Sequence, residues 1–349
     1  FTLFLYTEMA RFTPMLIDGI TAMNLIRHTL DRYLGGMKAY GQVGYGGTAW
    51  NSKFDSSDSA PSLIISACNY ILDTKDKEWA DRNYRSIRNW AIGMMYTDHN
   101  RDGIIEYGYS GNSGSWNGSI RPANWWDTIG FGHDDAYSNI LAYQACRLIS
   151  KVAALLGKQE DSGDFTAFAD NLKSAYYTHF YNQQTGVLAG WRSSDGNLHD
   201  YYFTFVNSMA VCYDLVEAEQ AKAIMQNLLK KMKEVGYTDF RLGLPGNLRP
   251  VSKEDYTDFN KRFGYASFQV YENGGATGCY AYFTIKALYK LNMREEANAM
   301  LLPMMESFKN GGFQGNCPGS SMTKDWKTWT GECWGYEGFL VDNYLVLLA

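Results

Sequence analysis

The chain has 349 residues and a net charge of −5 at neutral pH, and 46% of its residues are hydrophobic. Lysine and arginine form no basic run, which argues against a nucleic-acid partner because phosphate binding needs clustered cations. No stretch of 18 apolar residues occurs, so we expect no membrane span. Aromatic residues reach 15%, with 10 Trp and 26 Tyr. That abundance suits a sugar-binding cleft, in which rings pack against pyranose C–H groups, although an aromatic-rich core is the alternative.

The start of the chain, FTLFLYTEMARF, is apolar. It lacks the basic region and the small-residue cleavage site of a signal peptide, so we interpret it as a helix whose preceding chain is missing. Six cysteines are scattered without a CxxC motif or a Cys/His metal spacing, and we therefore expect no metal and no cofactor. Cys317 and Cys333 lie in one loop region and could form a disulfide if the protein is exported.

Apolar residues recur at helical spacing through most of the chain. The clearest helix covers residues 136–156, and Gly157 follows it as a helix-ending glycine should. Further helices are predicted at 59–72, 79–96, 165–180, 203–215, 217–235, 277–291, 294–308 and 335–348, with one or two more before Gly35. The pattern thus predicts ten or eleven helices and no run of alternating strand residues.

The connections between these helices alternate between tight turns and long loops. The long loops, at 36–58, 98–132, 236–263 and 310–334, are rich in Gly, Asn, Trp and Asp. Long loops without their own secondary structure are usually functional or disordered, and their many aromatic residues argue against disorder. We therefore predict one all-α domain over residues 1–349, a toroid of helical hairpins whose long loops meet on one face and form a pocket.

Several motifs stand at these loops: Asn124-Trp-Trp-Asp127, Gly132-His-Asp-Asp135, Tyr271-Glu-Asn-Gly-Gly275 and Thr330-Gly-Glu-Cys-Trp-Gly-Tyr-Glu-Gly338. Over roughly residues 40–349 this series resembles the six-hairpin glycosidases, in particular the α-L-rhamnosidases, the glucoamylase and trehalase groups and the cellobiose-phosphorylase group. The resemblance implies an (α/α)6 toroid, an oligosaccharide or glycoside substrate, and exo-acting hydrolysis by inversion. A periplasmic or extracellular location is favoured on the same ground.

In that superfamily one carboxyl group protonates the leaving oxygen and a second activates water on the opposite face of the sugar. The resemblance places the acid before the sixth barrel helix and the base before the twelfth. Counting back from the helix at Gly335, the acid is Asp127, Asp134 or Asp135. The base is Glu332 or Glu337.

Asp127 is the favoured acid, because Trp125 and Trp126 would desolvate its carboxyl and raise its pKa. Asp134 and Asp135 stand at a helix start, where at least one of them is expected to cap backbone amides. Glu332 is the favoured base, since it lies in a loop beside Trp334.

Other residues are expected to line the sugar site. We interpret Glu272 and Asn273 as ligands of sugar hydroxyls, with Glu272 the second candidate for the base and a capped helix start as the alternative. Trp125, Trp126, Trp329 and Trp334 are further candidates for substrate contact, as is Glu337, which could instead only favour the helix dipole.

The segment Asp98–Glu106 resembles part of a calcium loop but lacks the full EF-hand spacing, which favours a polar turn. Rival functions on the same toroid are a lyase, an epimerase and a phosphorylase. The loops hold more carboxylates than cations, which disfavours a lyase for acidic sugars. No cationic phosphate pocket is evident near Glu332, and the histidines are scattered. A sugar-binding protein without catalysis is the remaining rival.

Overall fold

The computed structural model describes residues 3–13, 17, 19–35, 56–107, 115–116, 119–120, 122–264, 267–311, 326–334 and 344–349. Within these ranges the chain forms eleven α-helices: α1 (Leu3–Phe12), α2 (Ala22–Leu34), α3 (Ser59–Thr74), α4 (Lys77–Met95), α5 (Ala136–Leu155), α6 (Gln159–Phe180), α7 (Thr204–Cys212), α8 (Ala218–Glu234), α9 (Asp258–Phe263), α10 (Gly278–Lys290) and α11 (Arg294–Lys309). A 3-10 turn at Leu345–Leu348 follows near the C-terminus.

Five helices and the C-terminal turn make a closed inner ring. In order around the ring, α1 packs on α3, α3 on α5, α5 on α7, α7 on α10, α10 on the 345–348 turn, and that turn on α1. The sequences of α3 and α5 are apolar or small on nearly every side, and almost all of their residues are buried. A helix without a polar face can only be stable when neighbours surround it, which places these two helices at the centre.

The remaining long helices form an outer layer, each against an inner partner: α2 on α1 and α3, α4 on α3, α6 on α5, α8 on α7 and α11 on α10. These helices are amphipathic. In α8 the buried residues are Ala221, Ile224, Met225, Leu228 and Met232, spaced at one face of a helix. The pairing of one inner with one outer helix is the helical-hairpin toroid predicted from the sequence, and the fold prediction is confirmed.

Short antiparallel strands hold the long loops together. Eleven two-residue strands occur in the described residues. Four of them, β8 (Leu244–Pro245), β9 (Ala276–Thr277), β10 (Trp326–Lys327) and β11 (Cys333–Trp334), form one sheet in the order β11-β10-β9-β8. This sheet joins the loops at 236–263, 267–277 and 326–334. The sequence showed no strand alternation because two residues are too few to produce a period.

The helix bounds mostly follow the predicted ones, and the main difference among the described residues is the start of α6. Gly157 has a φ of +73° just beyond α5, as expected for a glycine that ends a helix. α6 begins at Gln159 rather than near residue 165, because Glu160 and Asp161 in its first turn favour the positive end of the helix dipole. Of the predicted 335–348 helix, residues 335–343 lie outside the described residues.

Two expectations on composition can be compared with the structure. Within the described ranges, no helix combines the length and the apolar character that crossing a membrane requires. Cys333 is disulfide-bonded, whereas Cys68, Cys146, Cys212 and Cys279 are free. Cys317, the predicted partner of Cys333, lies outside the described residues.

The hairpin packing predicts a large difference between two positions of α8. Leu228 is completely buried against the inner ring, so Leu228→Ala should lower the free energy of unfolding by about 2–5 kcal/mol. Lys230→Ala on the same helix removes a side chain that is 76% exposed and should change it by less than about 0.5 kcal/mol. Urea denaturation followed by circular dichroism measures both, and equal losses would contradict the assignment of the two faces.

Candidate active site

Residues 124–128, which we call the acid loop, carry Asp127 directly after two tryptophans that belong to a layer of aromatic rings. Trp126 is completely buried, and its ring stacks on that of Tyr280 with centroids 5.9 Å apart. The Trp125 ring lies 4.6 Å from that of Trp126. Further rings of the layer belong to Phe131, Tyr137, Phe205 and Trp326. Aromatic side chains bury large areas and adopt few rotamers. The layer therefore restrains the backbone of the acid loop.

Buried polar side chains hold the first half of the acid loop. The backbone amide of Trp125 donates to Asp58 Oδ2 at 3.1 Å. Asn124 Nδ2 donates to Asp135 Oδ2 at 2.9 Å. Asp58 and Asp135 precede α3 and α5, two neighbouring inner helices. The acid loop is therefore attached to the starts of both helices.

Glu272 holds the second half of the acid loop from a distant part of the chain. Its Oε2 accepts hydrogen bonds from the Thr128 amide at 2.9 Å and from Thr128 Oγ1 at 2.8 Å. The backbone amide of Asp127 also donates to this carboxyl group. On the other side, Thr257 Oγ1 donates to the Asp127 carbonyl at 2.6 Å. Asp127 is thus clamped through its own backbone, and these contacts do not occupy its side chain.

Three carboxyl groups influence one another at this point. Burial raises the pKa of Asp127 to about 6, and the negative charge of Asp58 adds to that rise. Burial also raises the pKa of Asp58 above its usual value. The pKa of Glu272 is raised first by burial and then by the neighbouring Asp127. A raised pKa of Asp127 was predicted from the two tryptophans before it, and the structure agrees. The charge of Asp58 is an additional cause that the sequence did not indicate.

The chemistry of the Asp127 carboxyl follows from this environment. The side chain is only partly buried, so it can reach solvent, whereas Asp58 and Glu272 are almost completely enclosed. A carboxyl group with a pKa near 6 still carries its proton in weakly acidic solution, which is the property of a general acid. Of the three, Asp127 alone combines a raised pKa with partial exposure to solvent.

Glu332 lies in the hairpin formed by β10 and β11. Its backbone amide donates to Thr328 Oγ1 at 3.0 Å, and its own side chain is exposed. The hairpin is attached to the turn after Glu272, because Trp329 Nε1 donates to the Gly274 carbonyl at 2.5 Å. Trp334 is 38% exposed in the same hairpin. Glu332, Trp329 and Trp334 therefore belong to one rim next to the Glu272 turn.

Asn273 makes its contacts with the protein itself. It is completely buried, its Oδ1 accepts from Asn247 Nδ2 and from the Val251 amide at 3.1 Å each, and its Nδ2 donates to Tyr256 Oη at 3.2 Å. These bonds attach the 271–275 turn to the loop at 247–256. Asn273 therefore has a structural role. Its complete burial does not support the predicted contact with a sugar hydroxyl, which stays a prediction.

Asp134 and Asp135 occupy different environments although they are adjacent. Asp135 caps α5 by accepting the Tyr137 amide at 2.9 Å, and its second oxygen accepts from Ser138 Oγ at 2.5 Å. Burial raises the pKa of Asp135 to about 7. Asp134 points elsewhere, and its Oδ2 lies 2.8 Å from His179 Nε2. The expectation that one of the pair caps the helix is confirmed for Asp135, whose carboxyl has no surface left for a substrate.

The structure also revises the expected lining of the site. Trp126 has no exposed surface and Trp125 is 8% exposed, so both pack within the aromatic layer and neither offers a free face for a sugar ring. Glu337 lies outside the described residues. Sequence reasoning did not single out Asp58 or Thr128. Nothing local marks either residue, because their partners Trp125 and Glu272 lie 67 and 144 positions away.

The Glu272 contact predicts different outcomes for two substitutions. Glu272→Ala should leave two buried donors of Thr128 without an acceptor, at a cost of about 1–3 kcal/mol each. Glu272→Gln keeps an oxygen for the amide and should cost clearly less. Thermal and urea unfolding measure both, with Glu332→Ala as the exposed control of unchanged stability. Equal losses for Glu272→Ala and Glu332→Ala would contradict the role of Glu272 as a clamp.

Two solved structures with TM-scores above 0.6 share the same architecture. The GH63 mannosylglycerate hydrolase from Thermus thermophilus in complex with glucose is 12% identical, with a TM-score of 0.63 over 100% of this chain and 92% of that one. The same hydrolase with Tris and D-glycerate is similar at 11% identity and TM-score 0.63, over 99% and 91%. A rhamnosidase from Klebsiella oxytoca with rhamnose bound reaches 13% and 0.48, over 73% and 39%.

The search of curated proteins found no match. Residues 37–247, which include the acid loop and helices α3 to α8, match the family of bacterial alpha-L-rhamnosidase six-hairpin glycosidase domains. This match covers more than half of the chain and agrees with the closed double ring of helices and with the loops that meet at Asp127. The chain therefore belongs to the bacterial α-L-rhamnosidase six-hairpin glycosidase family.

Proposed function

We propose that this protein is an exo-acting, inverting glycoside hydrolase with Asp127 as its general acid. The observation that carries the proposal is the Asp127 carboxyl, which is partly exposed, clamped through its backbone and raised in pKa to about 6. Its substrate is an oligosaccharide or a glycoside. Exo action and inversion are what the family resemblance implies, and the size and anomeric form of the first product test them.

Glu332 is the base in this proposal. A general base must hold a water molecule on the far side of the sugar, and in inverting enzymes the two carboxyl groups stand about 6.5–9.5 Å apart. Glu272 is unsuited to that task, because it is 1% exposed and bonds to the backbone of the acid loop itself. Glu332 is exposed on the neighbouring rim, where water and substrate can reach it. Glu272 acts as a positioning residue for Asp127.

Substitution of the two carboxylates tests their roles. Asp127→Asn and Glu332→Gln should each reduce kcat by about 10²–10⁴-fold, the range of general acid–base assistance, without unfolding the protein. Asp127→Asn should lose less on nitrophenyl glycosides than on alkyl glycosides, because nitrophenolate leaves without much help from a proton. Glu332→Gln should lose both activities alike.

A screen of nitrophenyl glycosides comes first, and proton NMR of the first sugar released then gives the anomeric outcome. Glu219→Gln, which removes an exposed carboxylate on α8, serves as the control and should keep full activity. Retention of configuration would overturn inversion, and release of internal fragments from an oligosaccharide would overturn exo action. Full activity of Asp127→Asn on alkyl glycosides would move the acid to another residue.

The position of Asp58 predicts a shift in the pH dependence. Activity should fall as the pH rises through about 6, because Asp127 then loses its proton. The charge of Asp58 helps to raise the pKa of Asp127, so Asp58→Asn should move that fall to lower pH. Asparagine can still accept the Trp125 amide through its oxygen. Profiles of kcat/KM against pH measure the shift, and Glu219→Gln should not move it. An unchanged profile in Asp58→Asn would argue against this coupling.

A further inference from the structure

A second cluster of polar groups lies just before α5, where His133 and Asp134 meet Glu106. Glu106 Oε2 is 3.8 Å from His133 Nε2, and His133 Nε2 is 3.7 Å from Asp134 Oδ1. One ligand atom from each of the three residues lies within 4.8 Å of the other two. Two further imidazoles adjoin the cluster, because His99 Nδ1 is 3.1 Å from Glu106 Oε2 and His179 Nε2 is 2.8 Å from Asp134 Oδ2. Three of the five histidines of the chain meet here.

The Asp134 carboxyl is the second and independent observation. Its residue is only 8% exposed, and the buried Oδ1 has no hydrogen-bond partner among the described residues, although it points at His133. A buried carboxylate oxygen without a partner is costly. The distance of 3.7 Å exceeds the ~2.7–3.2 Å of a hydrogen bond, so the imidazole does not satisfy this oxygen. These atoms stand too far apart to bond to each other and near enough to share one ion.

Among the described residues, no lysine or arginine neutralises this pair of carboxylates. The ion-pair partners of Glu106 and Asp134 are imidazoles alone. Arg192 pairs with Asp134 through the backbone of two short strands, but its guanidinium donates to the carbonyls of His179 and Gly196. Within the described part of the chain, two carboxyl groups and an imidazole therefore face one another without a lysine or arginine beside them.

We propose that Glu106, His133 and Asp134 bind one divalent transition-metal ion, of which Zn²⁺ is the representative. One imidazole nitrogen and two carboxylate oxygens suit Zn²⁺ better than Ca²⁺ or Mg²⁺, which take oxygen ligands. His99 stands next to Glu106 as a candidate fourth ligand. His179 bonds to the second oxygen of Asp134 and orients this carboxylate, as partners of metal ligands commonly do.

This site differs from both metal expectations drawn from the sequence. The sequence predicted no metal because it lacks a Cys/His metal spacing. Such a spacing could not reveal this site, since its three residues come from two separate segments. The calcium-like segment forms a polar turn, in which Asp98 and Asp102 accept amides of the same turn. Glu106, its last residue, has its Oε2 3.1 Å from His99 Nδ1 of the same segment and 3.8 Å from His133 Nε2.

The ion would connect two pieces of backbone that already meet. The Tyr107 amide donates to the His133 carbonyl at 3.0 Å, and the Ile105 amide donates to Asn139 Oδ1 of α5 at 2.9 Å. A metal held by Glu106, His133 and Asp134 would tie the 104–107 segment to the start of α5. An ion that binds only the folded state raises the thermal midpoint in proportion to its affinity and concentration.

The test uses the full chain after treatment with a chelator and its removal. Titration with ZnCl₂ in a calorimeter should give one bound equivalent per chain, and the same ion should raise Tm. Glu106→Gln and His133→Gln should each weaken Zn²⁺ binding by at least about 100-fold. His179→Gln should weaken it by about 10–100-fold, the usual effect of removing a partner of a metal ligand. CaCl₂ and MgCl₂ should leave Tm unchanged.

His28→Gln, which removes an exposed histidine on α2, is the matched control and should bind Zn²⁺ like the wild type. Circular dichroism of each metal-free variant checks that it folds. If His133→Gln does not fold, the more conservative Glu106→Gln carries the test. Equal Zn²⁺ affinity in the wild type and Glu106→Gln would overturn the site, as would less than half an equivalent bound. No Zn²⁺ binding, together with a lower Tm in metal-free His133→Gln, would identify an ion pair instead. None of these readouts depends on glycosidase activity.

Discussion

The hydrogen bonds between Glu272 and Thr128 are the constraint on which the candidate site depends. They join two segments 144 residues apart and bury a carboxyl group that water would otherwise solvate. Such burial is tolerable only because several donors compensate for the lost hydration. The donors are backbone and side-chain groups of the acid loop, so the loop and the turn can adopt their positions only together.

The turn that carries Glu272 is built for close approach. Gly274 has a φ of +87°, a conformation that favours glycine. A Cβ at Gly275 would stand 2.3 Å from the Tyr271 carbonyl oxygen, which leaves no room for a side chain. The Trp329 ring nitrogen then reaches the Gly274 carbonyl. The two glycines thus allow the turn, the hairpin with Glu332 and the acid loop to pack into one unit.

The helices of the toroid provide fixed attachment points for the acid loop. The inner helices α3 and α5 start at Asp58 and Asp135, and both carboxyls hold the acid loop. The helix starts provide a rigid base, since their positions are set by packing on every side. Buried acids with raised pKa values cost stability once they ionise. The aromatic layer to which Trp125 and Trp126 belong adds buried apolar area next to these groups.

Local features of the sequence were sufficient for most helices and for part of the site. Helical periodicity and the glycine after α5 are properties of neighbouring residues, so the double ring of helices could be predicted without tertiary information. The raised pKa of Asp127 could likewise be predicted from its neighbours, because two tryptophans precede it directly in the chain. The capping role of Asp135 also depends only on its place before a helix.

Only the tertiary structure determined which carboxyl groups and histidines are buried, and which of them are neighbours. Glu272 and Glu332 stand in comparable glycine-rich motifs, yet packing encloses the first and exposes the second. Asp58 became part of the site because α3 meets the acid loop, and His99, His133 and His179 became neighbours because α5, α6 and the 98–107 segment converge. Burial, pKa and shared ligands depend on residues far apart in the chain. A single sequence contains these residues but does not specify their distances.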